Sequence, residues 1–133
     1  MKLTTKSEYS LLALICIARN RKAGFVKTES ISSECDIPKG YLEQLLLILK
    51  QNRYLKARRG SCGGYDLALP PTKISIAQII RLMDGALAPT GSVSTYFFSH
   101  TPLEQEKKVI DIFKEIRNFV SDKLERVKLS DLI

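Results

Sequence analysis

The 133 residues carry 21 Lys and Arg against 14 Asp and Glu, a net charge of +7, with 44% hydrophobic content. That balance belongs to one globular domain rather than a disordered or membrane-spanning chain. The longest apolar stretch, Leu11 to Ala18, is too short to cross a bilayer, and Met1-Lys2-Leu3-Thr4-Thr5 lacks the apolar run of a signal peptide, so the expected location is the cytoplasm. Three cysteines without a CxxC pair, and one histidine, His100, supply neither a disulfide framework, a zinc site nor His-dependent catalysis. An enzyme is not expected.

The charge is lopsided. Residues 1–73 hold 13 Lys and Arg against 6 Asp and Glu, whereas residues 74–133 hold 8 of each. A basic module joined to a neutral one is the pattern of a nucleic-acid reader with a separate association element.

In chain order, Thr5-Lys6-Ser7-Glu8 has capping-box spacing, and the apolar run behind it predicts a largely buried helix over Thr5 to Asn20. After a turn at Gly24, residues 28–35 form a short helix with Ile31 and Cys35 on one face. Asp36 is the turn residue, and Pro38 suits the first turn of the next helix, which runs to about Asn52 with Leu42, Leu45, Leu46 and Leu49 inward. Two short helices joined by a tight turn are a helix-turn-helix. Residues 54–58 and 65–69 alternate around Gly60, Gly63 and Gly64, whose tolerance of positive φ suits a hairpin tip. This hairpin is the wing.

Pro70-Pro71 ends the second strand. Ser75-Ile76-Ala77-Gln78 is a second capping-box spacing and opens a helix with Ile76, Ile79, Ile80 and Met83 on one face. Residues 85–102 read as a loop anchored by Tyr96-Phe97-Phe98, a hydrophobic plug or the lining of an effector pocket. From Leu103 to Val127 an apolar stripe through Val109, Ile112, Phe113, Ile116, Phe119, Val120, Leu124 and Val127 predicts a helix of about 25 residues, ~37 Å long. So small a domain cannot easily cover that stripe, and pairing with the same helix of a second chain predicts a homodimer. The predicted fold is mainly α with a small β-hairpin: a winged helix-turn-helix over 1–73, a supporting helix and sensor-type loop over 74–102, and a dimerisation helix with a C-terminal turn over 103–133.

Three segments resemble, in order, the Rrf family of bacterial winged-helix regulators: Met1-Lys2-Leu3-Thr4-Thr5-Lys6 with Tyr9, then Tyr41-Leu42-Glu43-Gln44-Leu45, then Arg59-Gly60 with Gly63-Gly64-Tyr65 and Leu67. The resemblance implies a homodimeric transcription regulator, in the first instance a repressor, on a palindromic operator in double-stranded DNA, with recognition helices in the major groove and wings in the minor groove. Gln44 suits an adenine edge and Glu43 a cytosine amino group. Arg59 suits a narrow A·T minor groove. Lys39, Tyr41, Lys56 and Arg58 suit phosphates. Gly40 stands where the family often has a hydroxyl, which removes one possible contact. The DNA-contacting set is thus Lys39, Gly40, Tyr41, Glu43, Gln44, Lys56, Arg58, Arg59, Gly60 and Gly63.

Cluster-binding members of the family carry three cysteines in the loop before the long helix, and residues 85–102 here contain none. The resemblance is therefore to the cluster-free branch, with no iron-sulfur cluster or other metal expected, a small molecule or a partner protein as the effector, and His100 a solvated loop residue. Cys16 and Cys35 read as packing residues. Cys62, at the wing tip beside Arg58 and Arg59, is a candidate thiol switch. The competing reading of the whole chain is a winged-helix module that contacts a protein.

Overall fold

The computed structural model describes residues 1–133. Thr4, one residue earlier than the capping-box spacing implied, caps the first helix, α1 (Thr5–Asn20): its hydroxyl accepts from the Lys6 amide. The usual distal partner of such a cap is replaced by a residue from far along the chain. Asp84 accepts from the Thr4 amide at 2.8 Å and from the buried Ser7 hydroxyl at 2.6 Å, and also from the Thr4 hydroxyl. A carboxylate at a helix N-terminus satisfies free amides and complements the helix dipole.

Helices α2 (Thr28–Cys35) and α3 (Lys39–Gln51) follow, separated by Asp36 in the left-handed region, at φ 54°, and by Pro38 immediately before the first turn of α3. The turn is closed by the Ser32 hydroxyl donating to the Ile37 carbonyl at 2.6 Å. Ile31 of α2 and Leu42, Leu45, Leu46 and Leu49 of α3 pack with Leu14 and Ile17 of α1 in one core. Strands β1 (Leu55–Arg58) and β2 (Gly64–Leu67) pair antiparallel from Leu55 opposite Leu67 to Arg58 opposite Gly64. The hairpin base is pinned to the segment before α2 by two backbone bonds of 2.8 Å between Val26 and Tyr65. Helix α4 (Ile76–Asp84) begins with both bonds of the expected Ser75/Gln78 capping box.

The C-terminal part departs from expectation in two ways. The last helix, α5, spans Lys107–Arg126, 20 residues rather than about 25, because residues 102–105 form a separate 3₁₀ turn behind Pro102. Tyr96, Phe97 and Phe98 do not anchor the loop: all three are exposed, Tyr96 by 68%, and the loop is held instead through buried Ala88 and Val93 against Ile110. The chain then returns to the main core, where Leu129 is buried and its amide donates to the Ile74 carbonyl at 2.8 Å.

Desolvation works to raise the pKa of Asp84, but hydrogen bonds from Ser7 and Thr4 outweigh it and hold the carboxyl below the usual range. Its stabilisation is therefore complete above the ordinary carboxylate pKa of the unfolded chain, about 4, and is lost as pH falls through the lower folded value. Asp84→Ala should cost about 1–2 kcal/mol in urea unfolding at neutral pH, from the lost cap and the stranded Ser7 hydroxyl. The penalty should shrink when the titration is repeated at pH 3.

Candidate nucleic-acid interface

Because α3 turns its leucines inward, its opposite side faces outward, and Gly40, Glu43 and Gln44 are all exposed there. Tyr41 sits on the flank. Its ring meets Tyr9 of α1 edge-on at 5.7 Å between centroids, and its hydroxyl lies 3.5 Å from that of Thr5. That contact gives Thr5 a role that its capping-box spacing did not suggest. Lys39 is not free: its ammonium pairs with Glu29 of α2 at 3.0 Å. The pair raises the Lys39 pKa and lowers that of Glu29, and both side chains remain in solvent. A phosphate approaching Lys39 would compete with Glu29.

In the wing, Gly60 and Gly64 adopt positive φ, of 102° and 137°. Gly63 does not, and its requirement is steric: a Cβ there would overlap the Arg58 carbonyl across the tip. Buried Gly63 donates its amide to the Gly60 carbonyl at 3.0 Å. Arg58 donates Nη2 to the Cys62 carbonyl at 3.0 Å and lies over the Phe25 ring at 4.3 Å, with the Lys56 ammonium 5.9 Å from the same ring. Phe25 thus gathers two of the wing cations by cation-π attraction. The sequence reading missed it, although an aromatic between Gly24 and Val26, in the turn before a basic hairpin, was the available signal. Arg59 and Cys62 are exposed at the tip. An open polar cleft of about 540 Å³, lined by Lys27, Thr28, Glu29, Gly60, Gly63 and Gly64, separates the tip from the start of α2.

The structure therefore brings Lys56, Arg58, Arg59, Gly60 and Gly63 together on one hairpin and Lys39, Gly40, Tyr41, Glu43 and Gln44 on the first turns of one helix. His100 stands apart, exposed and 3.2 Å from the Glu104 carboxylate.

Residues 3–133 match the sequence profile named Rrf2, described as an iron-dependent transcriptional regulator. The chain belongs to the Rrf2 family. CymR of Bacillus subtilis (strain 168) is 30% identical over 132 residues, which cover 99% of this chain and 89% of CymR. The solved structure of CymR, the global cysteine regulator of B. subtilis, superposes with a TM-score of 0.80 over 99% of this chain and 95% of that one. The structure of T. potens IscR superposes with a TM-score of 0.75 at 27% identity, over 99% of this chain and 85% of IscR. The winged-helix fold and a DNA-binding regulatory role follow. The family and these relatives are transcription regulators rather than enzymes.

The iron in the family description raises the question of which side chains of this chain could hold it. No three His, Cys, Asp or Glu side chains converge on one point. Cys16, 3% exposed, donates its thiol to Glu34 at 3.2 Å, and burial with that bond pushes its pKa up to about 12. Burial also raises the pKa of Cys35. Burial thus disfavours the thiolate at both, the form in which cysteine ligates a cluster.

If Phe25 organises the wing cations, Phe25→Ala should weaken DNA binding about two- to fivefold, the worth of an exposed cation-π contact. Binding titrations at fixed salt would measure this. An unchanged affinity would show that Arg58 and Lys56 need no platform.

Proposed function

We propose that this Rrf2-family protein is a homodimeric, sequence-specific transcription repressor, acting in the cytoplasm, that places α3 in the major groove and the wing in the minor groove of a palindromic operator. The observation that carries the reading is the outward polar face of α3 beside a hairpin whose Arg59 stands free while Arg58 is held in place. Gln44 and Glu43 would read base edges. Arg59 would enter the minor groove, and Lys56, Arg58, Tyr41 and Lys39, once released from Glu29, would hold phosphates. The wing glycines matter indirectly, because they let the tip fold tightly enough for its backbone to approach DNA. No helix is long and apolar enough to cross a membrane.

Dimerisation is supported by α5, which buries only Ile110 fully and leaves Ile112, Ile116 and Phe119 exposed, Phe119 by 75%. An apolar stripe of that kind on a small domain calls for a second copy to cover it. We read the protein as free of an iron-sulfur cluster, with a small molecule or a partner protein as its signal. The donor set favours that reading, since residues 85–102 have no cysteine and burial disfavours the thiolates of Cys16 and Cys35.

A second reading concerns Cys62, whose carbonyl holds the Arg58 guanidinium and whose thiol is exposed at the wing tip. Peroxide would oxidise the thiol to a sulfenic acid with loss of water, and the bulkier tip would weaken minor-groove contact. Peroxide should then lower operator affinity in the native protein and leave Cys62→Ser unaffected; equal responses would remove the switch.

Recovering bound fragments from genomic DNA tests the main reading, with enrichment of a palindrome as the expected result. On such a duplex, affinity should fall steeply with salt, and Arg59→Ala should reduce the slope of log affinity against log salt by about 0.9. Salt-independent binding would point instead to a protein-assembly module. Phe119→Glu should sediment as a monomer and lose about a hundredfold or more in operator affinity, as one of two linked half-site contacts disappears. A Phe119→Glu protein that remained a dimer would overturn the assignment of α5.

A further inference from the structure

The outward strip of α3 contains a residue that neither hydrogen bonding nor phosphate attraction explains. At 100° per residue, Gly40, Gln44, Leu47 and Gln51 fall on one narrow strip, diametrically opposite buried Leu42, Leu45, Leu46 and Leu49. Leu47 is 48% exposed. Its neighbours on the strip are two amides and a bare glycine, so it is not the fringe of the core. An isolated apolar side chain at an arbitrary surface position needs no explanation. This one lies in the middle of the face assigned to the major groove.

Gly40 sharpens the point. It has an ordinary helical backbone, and a Cβ built on it would meet nothing within 4 Å. Neither a turn nor internal packing asks for glycine, which weakens a helix relative to alanine. Its effect is on the outside: with no side chain at this point of the outer strip, the helix can approach the base edges closely enough for a side chain two turns on to touch the groove floor.

We propose that Leu47 reads the 5-methyl group of thymine. That methyl is the one apolar feature of the major-groove edge, and an aliphatic side chain recognises it by contact alone. Gln44, one turn earlier on the same strip, is suited to adenine. The strip Gly40, Gln44, Leu47 therefore matches neighbouring A·T pairs, with the bare position allowing approach, the amide reading an adenine and the leucine a thymine methyl. The proposal rests on the DNA-binding reading above and adds a base-specific contact to it.

The test uses the full-length protein and a duplex selected from a random-sequence library. Each thymine is replaced singly by deoxyuridine, which removes only the methyl, and affinities are compared for the native protein and Leu47→Ala. At one or two positions per half-site, deoxyuridine should weaken native binding about fourfold, the value of one buried methyl, and should cost Leu47→Ala nothing. Leu47→Met, which stays apolar, should keep the discrimination. Because Leu47 lies outside the core, both variants should melt with the native protein, and a lowered melting temperature in either would contradict that placement. Equal effects of deoxyuridine on native protein and Leu47→Ala at every position, or no effect on either, would overturn the methyl contact while steep salt dependence left the DNA-binding reading intact. Failure to select any duplex would remove both.

Discussion

Four leucines on one side of α3 set the direction of everything presented on the other. Leu42, Leu45, Leu46 and Leu49 are essentially solvent-free against α1 and α2, and each such side chain contributes about 2 kcal/mol by leaving water. Rotating the helix to present a different face would expose all four, so the side carrying Gly40, Gln44 and Leu47 is fixed without any interaction of its own. A face that makes no contacts of its own cannot orient itself. The energy that orients it has to come from behind.

The wing solves the opposite problem. It has two short strands and little core of its own, so its shape is held by local backbone requirements: positive φ at Gly60 and Gly64, and the missing Cβ at Gly63 that lets the Arg58 carbonyl close across the tip. Its base is tied through Val26 and Tyr65, and Arg21 reaches Asp66 at 3.4 Å beside that joint. Phe25 lies in the same pre-α2 segment and sits under the wing cations. The four residues Gly24 to Lys27 thus join the hairpin to the helix-turn-helix and position the charge that the hairpin carries.

Much of this was legible in the sequence because it is local. The leucine period of α3, the Pro38 and Asp36 punctuation and the glycine spacing of the wing each specify their own neighbourhood, and the extents of α1 and α2 emerged as expected. The misreadings involve partners distant in sequence. Thr5 had the right spacing for a cap, but Thr4 took the position because Asp84, 80 residues away, satisfies its amide. Lys39 looked available until α2 brought Glu29 beside it. The aromatic run 96–98 seemed suited to an interior, yet the loop found smaller side chains, Ala88 and Val93, to bury. Leu47 carried no assignment: the period that turns Leu42, Leu45, Leu46 and Leu49 inward already puts it on the opposite strip, and its 48% exposure shows that no other element covers it.

Asp84 is both the last residue of α4 and the acceptor for the first turn of α1. Gly85 opens the 85–102 loop immediately after it, and α1 carries, at Thr5 and Tyr9, the groups that steady Tyr41 at the head of α3. The C-terminal end of α4 and the head of α3 therefore meet at the same end of α1. One end of α1 is thus shared by the carboxylate that leads into the 85–102 loop and by the tyrosine that flanks the exposed face of α3, and neither contact passes through the leucine core.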